Sequence, residues 1–463
     1  MDMKLIKAEV VVLKNQPMSA EERASQDGKL RGKPEQHSIF IRLTAEQDGK
    51  QLIGMGEARP SRISEETLSS AGRYARKMAR RLVGRSVNPD AEMPTRHAHD
   101  VVHDTVSEIF GLGENRISQQ RPSPSVCFAA ECALLDLMAK QRGVTIAELS
   151  GAEQPGVRRN VFNDALKNPE ALLQQANKGK PVSGWLRRGK RLDSQQASTL
   201  VNSLLFALGD KASELQGIIL NAGQRWTPQD WGRFCDEVAL TGLAGKQNVK
   251  VVVEDPFPPE SDAFYEQAFA KADGTPVRVM LAKPVWGVES VRTLSPYMPH
   301  VDLKVTPQKA GGYQEVLDAE REAEAHGFQG SVFLGGVNGT TNLNTLAMAS
   351  LASSMRHCRY FSTSFKKEGK TRLVHPRASL ENDILQLPEG PGFGTNLCRS
   401  GLRKRLVALH AYNANGSMSA REARRSLLQG VYDDRFLQRE EEEHQRFQFD
   451  DSELGGSRNV VNR

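Results

Sequence analysis

The sequence has no apolar run near the roughly 20 residues that a membrane-spanning helix needs, so no membrane partner is expected. Its five cysteines (Cys127, Cys132, Cys235, Cys358 and Cys398) are odd in number, scattered and free of C-x-x-C spacing. That pattern argues against a disulfide framework and against a zinc site. The start, "MDMKLIKAEVVVLK", places lysines inside a strand-like alternation and lacks a basic-then-apolar signal pattern, so a cytoplasmic protein is expected. Charge of one sign is also modest, at a net +6 over 463 residues. Basic residues cluster in "RRGKR" (187–191) and "RKR" (403–405), but no aromatics are interleaved, and a nucleic-acid partner is not expected.

What is present suits two or three domains. Residues 4–13, 37–44 and 52–58 read as strands, the last carrying glycine kinks. The polar connection 15–36 is longer than the usual limit of ~12–15 residues and reads as a lid or an insertion. Residues 64–83 carry a basic amphipathic helix pattern. "SVCFAAECALLDLMAKQRGVTIAEL", from 125, gives a helix with Phe128, Cys132, Leu135 and Met138 at helical spacing, stopped by Gly143. Short apolar runs then alternate with helical segments, near 159–163, 183–187, 217–222, 249–254, 277–281, 301–305, 330–334 and 358–362. Eight such runs predict a parallel α/β barrel, whose strands are buried on both faces. Beyond about 400 the rhythm breaks into "RKRL", a helical stretch near 419–430, the acidic run Glu440, Glu441, Glu442, Glu443, and a polar end.

The reacting groups of such barrels project from the C-terminal ends of strands. Those ends fall at Asn221, at Glu254 and Asp255, at Ala282 and Lys283, at Lys304 to Thr306, and at Gly335 and Gly336. "GMGEARP" (54–60), the 125–151 helix, "ILNAGQRWTPQDW" (219–231), "VVEDPFPP" (252–259), "VWGVESVRTL" (285–294), "VTPQKAGGYQEVL" (305–317) and "EGPGFGTNL" (389–397) occur in that order. Together they resemble the enolase superfamily in its mandelate racemase and muconate lactonizing branch. The resemblance implies a TIM-type (β/α)7β barrel at 125–398, an N-terminal α+β capping domain at 1–124, and an added C-terminal extension at 399–463.

It also implies proton abstraction α to a carboxylate, with magnesium held by three carboxylates from successive strand ends. Carried over, those positions are Asn221, Glu254 and Ala282, so one carboxylate of three remains. Asp255 is adjacent, but strand alternation points it away unless the strand turns there. Magnesium is therefore in doubt as a cofactor. The K-x-K of the second strand falls in "GWLRRGK"; arginine stays protonated, which leaves Lys190 as a candidate base and Arg188 as a substrate-binding cation. On the sixth strand Thr306 occupies the expected lysine position, with Lys304 two residues earlier on the same face. Lys304 is then a catalytic candidate in a shifted register, or a lysine paired with a carboxylate below the site. Lys283 is expected to bring its ammonium near Glu254 or Asp255 and to take over part of the metal's electrostatic role.

Other features have simpler readings. His99 and His103 in "RHAHDVVHD" have i, i+4 spacing but read as a solvated helix face. "LGGVNGTTN" (334–342) could present backbone N–H groups, with Asn338, to an anionic ligand, or be an ordinary strand-to-helix turn. "EGPGFGTN" reads as a turn linking barrel to cap. The expectation is a divergent racemase, epimerase, lyase or cycloisomerase type with a barrel-mouth site for a small carboxylate. Self-association into a homo-oligomer is common in the family and is expected. The alternative is a non-catalytic binding or assembly protein that retains the fold.

Overall fold

A computed structural model describes residues 3–14, 37–61, 64–87, 95–110, 122–152, 156–158, 184–246, 248–258, 261–337, 340–361, 373–376, 378–381, 384–428 and 431. The strands in chain order are β1 (Met3–Lys14), β2 (His37–Gln47), β3 (Lys50–Ala58), β4 (Ser86–Val87), β5 (Gly156–Arg158), β6 (Gly184–Arg191), β7 (Leu215–Asn221) and β8 (Lys250–Glu254). They continue with β9 (Val277–Leu281), β10 (Val301–Val305), β11 (Val332–Leu334), β12 (Cys358–Phe361), β13 (Val374–His375) and β14 (Ser379–Glu381). The last are β15 (Ile384–Gln386), β16 (Asn396–Leu397), β17 (Leu406–Asn413) and β18 (Gly416–Ser417).

β6 to β12 form one parallel sheet in sequential order, with helices in the connections, which is the curled wall of a TIM-type barrel. The expected first run, 159–163, lies outside the described residues. Alternate side chains face the barrel interior, where Trp185, Ile219, Val252, Met280 and Phe333 make their own buried cluster. Trp185 meets Phe333 edge to face with ring centroids 5.0 Å apart. Gly217 is required beneath it, because a Cβ there would lie 2.4 Å from the Trp185 ring.

The cap is an antiparallel sheet in the order β18-β17-β1-β2-β3, with β4 paired to β1. The helix Pro124–Arg142 packs flush on β3 and is buried from Pro124 to Ala139; Gly143, at φ +70°, ends it. That close approach explains "GMG": a Cβ on Gly56 or Gly54 would sit 1.8 Å or 2.1 Å from the carbonyl oxygen of Ala129 or Ala133. The segment after 400 does more than extend the chain. A helix (Arg399–Arg405) leads into β17, which pairs with β1 inside the cap sheet, and the helix Ala420–Leu427 follows. β17 escapes sequence reading because it is half-exposed over most of its length and lacks a strong apolar alternation.

Buried carboxylates fasten cap to barrel. Glu57 of "GMGEARP" accepts hydrogen bonds from Ser38 Oγ (2.6 Å), Thr341 N (3.0 Å), Thr341 Oγ1 (2.6 Å) and Asn344 N (3.3 Å). It therefore caps the N-terminus of the helix Asn342–Ser353. Asp136 accepts from Met55 N (3.0 Å), Phe393 N (2.8 Å) and Lys140 Nζ (2.8 Å), which ties "EGPGFGTN" to the helix that opens the barrel.

Candidate functional site

The barrel mouth is built around Glu254, the last residue of β8, in register with Asn221 on β7 and Met280 on β9. Its inward side chain is buried, and each carboxylate oxygen meets a cation. Oε2 accepts from Arg187 Nε (3.1 Å) and Nη2 (2.5 Å), while Oε1 accepts from Lys304 Nζ (2.6 Å). Arg187 comes from β6, two residues after the interior Trp185, and Lys304 comes from β10. Burial alone would raise the Glu254 pKa, but Arg187 and Lys304 outweigh it and hold the carboxyl at about 2. Burial, followed by the Arg187 charge, lowers the Lys304 ammonium below its ordinary range, against the pull of Glu254.

Asp255 takes a different course. Its backbone is left-handed at φ +47°, so the strand turns and the side chain swings to the end of β9. There it accepts from the backbone N–H groups of Ala282 (2.8 Å) and Lys283 (3.1 Å). Burial and then the neighbouring Glu254 charge raise its pKa to about 6. Lys309 holds the same two residues from the other side, donating to the carbonyl oxygens of Lys283 (2.6 Å) and Ala282 (3.3 Å). Its ammonium lies 4.3 Å from the centroid of the Trp286 ring. Burial lowers its pKa to about 8, with Asp255 opposing the shift. The segment at the end of β9 is thus clamped through its backbone, by Asp255 on its donors and Lys309 on its acceptors.

This arrangement corrects the expectation for Lys283. Its side chain is exposed and donates to Gln224 Oε1, and only its backbone N–H meets Asp255. The cations on Glu254 are Arg187 and Lys304. The reading of Lys304 as a lysine paired with a carboxylate is the one the geometry bears out. Asn221 stands beside Glu254 at the strand end, and Thr306 lies half-buried one step above Lys304 on the same face. Arg188 is half-buried and Lys190 is exposed. Asn338 and the 15–36 lid lie outside the described residues.

Two other expectations change. His103 is buried, not solvated, with Nδ1 2.9 Å from Glu131 Oε1. The other oxygen of Glu131 accepts from Tyr313 N (2.6 Å), a contact 182 residues away that no helical spacing reveals. At the end of the 334–342 turn, the N–H of Thr341, with that of Asn344 in the helix that follows, is taken by Glu57 from the cap, an anion supplied by the chain itself. Sequence reasoning set Arg187 aside as a poor base and passed over Lys309. Period-two alternation from Trp185 could have placed Arg187 inside, whereas nothing local marks Lys309.

Comparison with known proteins fits this architecture. Residues 183–400 match the enolase C-terminal domain-like family. The L-Ala-D/L-Glu epimerase of Escherichia coli is 24% identical over 225 residues, 49% of this chain and 63% of that protein, so the match spans less than two thirds of that relative. Dipeptide epimerase from Enterococcus faecalis superposes with a TM-score of 0.63 at 17% identity, over 85% of this chain and 99% of the other. N-succinyl Arg/Lys racemase from Bacillus cereus gives 0.64 at 14% identity, over 89% and 100%. These structural likenesses concern the fold. Over residues 183–400, which hold the barrel strands β6 to β12, the chain is similar to the enolase C-terminal domain-like family, and it shares its fold with structures of the mandelate racemase and muconate lactonizing enzyme group.

Proposed function

We propose that the barrel mouth is a site for a small carboxylate, of racemase or epimerase type, in which protein cations supply the positive charge that relatives draw from a divalent ion. The observation that carries this reading is the double occupation of Glu254, with Arg187 on one oxygen and Lys304 on the other. The donor set does not fit magnesium, which requires near-octahedral hard oxygen ligands. Among the described residues no three His, Cys, Asp or Glu side chains converge as a metal cluster. Glu254 is committed to two cations, Asp255 is committed to backbone N–H groups, and Ala282 brings no side-chain donor.

The remaining charge favours an anion. Lys283 and Lys309 donate to neutral oxygens, and among the described residues no carboxylate hydrogen-bonds to either ammonium. A substrate carboxylate is steered to that side of the mouth. Lys309, lowered to about 8 by burial and free of a carboxylate hydrogen bond among the described residues, is near the range a general base requires, and we assign proton transfer to it. Arg187 and Lys304 stabilise the negative charge that forms when the α-proton leaves. The relatives named for dipeptide epimerisation suggest dipeptides and N-acyl amino acids as first substrates.

The test is exchange of the α-proton with deuterium, followed by NMR across such a panel in the presence of a chelator. Exchange that persists with chelator and falls at least ~100-fold in Lys309→Met is expected. Exchange that appears only when magnesium is added would overturn the reading.

A further inference from the structure

At the barrel mouth Arg187 and Lys304 are paired with Glu254, but one surface of the cap does the reverse. The helix Leu68–Leu82 contains no acidic residue, and its outer side carries Arg73, Arg76, Lys77 and Arg80 at i, i+3, i+4 and i+7. With Arg81 they line a depression of about 410 Å³. None of these four has a carboxylate partner among the described residues, while Arg85, Lys271, Arg292 and Arg321 elsewhere on the surface all do. Arg80 lies 5.1 Å from the Tyr412 ring centroid, and burial together with Arg76 and Arg80 lowers the pKa of His410 on the same strand. Like charges at these spacings cost an isolated helix a few tenths of a kcal/mol per pair. The stripe is thus an unneutralised cationic surface beside β17 of the cap.

Its chemistry narrows the partner. The apolar face of the helix is spent on the cap core, with Ala71, Ala75, Met78, Ala79 and Leu82 buried, so it has no apolar face left to insert into a lipid surface. Tyr412 is buried and Tyr74 half-buried, which leaves no open aromatic platform for stacking bases. A run of carboxylates fits, and the chain contains one: Glu440, Glu441, Glu442 and Glu443. The last described residue, Val431, packs against the core soon after the helix Ala420–Leu427, which follows the β17–β18 edge. Nine residues beyond Val431 span up to ~30 Å, enough to round the edge of a sheet whose strands are about 4.8 Å apart. A tether of that length also gives an effective concentration that external anions seldom match.

We propose that the stripe Arg73, Arg76, Lys77 and Arg80 is a docking surface for an acidic peptide, and that the chain's own 440–443 run occupies it. An external polyanion then has to displace that run.

The experiment uses the full chain. Carbodiimide coupling, which joins an amine to a carboxylate it touches, is expected to link Lys77 to the 440–443 peptide within one chain, at a yield independent of protein concentration. In parallel, inorganic polyphosphate binds the quadruple variant Glu440→Gln, Glu441→Gln, Glu442→Gln, Glu443→Gln about tenfold more tightly than the parent. Arg73→Gln with Arg76→Gln and Arg80→Gln loses that binding; should this variant not fold, the tail variant decides alone. Equal polyphosphate affinity in parent and tail variant, or a coupling found only between two copies, overturns the proposal.

Discussion

Glu57 and Glu254 are the same side chain, buried to a similar degree, and the protein solves the cost of burying each in a different way. At the junction of cap and barrel, Glu57 rests on neutral donors: a serine, a threonine and the N–H groups opening a helix. Burial wins there, and its pKa is raised. At the barrel mouth Glu254 rests on two cations; they win, and its pKa falls to about 2. Neutral donors fix a position and leave the surroundings uncharged, which suits a structural joint. Cations fix a position and also set a field, which suits a place where negative charge arrives.

The largest expected effect breaks that contrast directly. Glu254→Gln removes the carboxylate that Arg187 and Lys304 share and is predicted to cost about 3–5 kcal/mol of stability in urea unfolding. Glu57→Gln keeps one acceptor oxygen and is predicted to cost about 1–3 kcal/mol. Equal losses would mean that the two sites do not differ as argued. Replacing the whole cluster, with Glu254→Leu, Arg187→Met and Lys304→Met, is predicted to recover most of the stability lost in Glu254→Gln, because no buried charge is then left unpaired.

The two carboxylates also respond to acid with opposite sign. The folded pKa of Glu254 lies below the ordinary glutamate value of 4.5, so its stabilisation is complete above that value and is lost as pH falls toward about 2. The folded pKa of Glu57 lies above the same value, so the native state binds its proton more readily and is favoured as pH falls through it. Urea midpoints between pH 5 and 3 should therefore decline less steeply in Glu254→Gln than in the parent, and more steeply in Glu57→Gln. The smallest effect belongs to Thr341→Val, which removes one hydroxyl from Glu57 at a cost of about 1 kcal/mol.

Much of the barrel was legible because its strands are short apolar runs ended by polar residues. The run expected at 249–254 is β8 at Lys250–Glu254, and those expected at 277–281 and 301–305 match β9 and β10. Position on a strand end therefore located Glu254, Asn221 and Thr306. Partner choice was less legible. Lys283 and Lys304 both stand beside the site in sequence, but only the second shares the inward face with Glu254. The turn of Asp255 depends on a left-handed backbone in a residue that is not glycine, which tertiary contacts enforce and no local pattern announces. His103 was misread for a related reason, since its partner Glu131 comes from another helix.

The account's central claim is that Arg187 and Lys304 hold Glu254 in place of a metal ion. Magnesium calorimetry on the parent and on Glu254→Gln tests it most directly. The account predicts no Glu254-dependent heat up to millimolar magnesium, with the two proteins indistinguishable. Saturable binding in the parent that is lost in Glu254→Gln would contradict it.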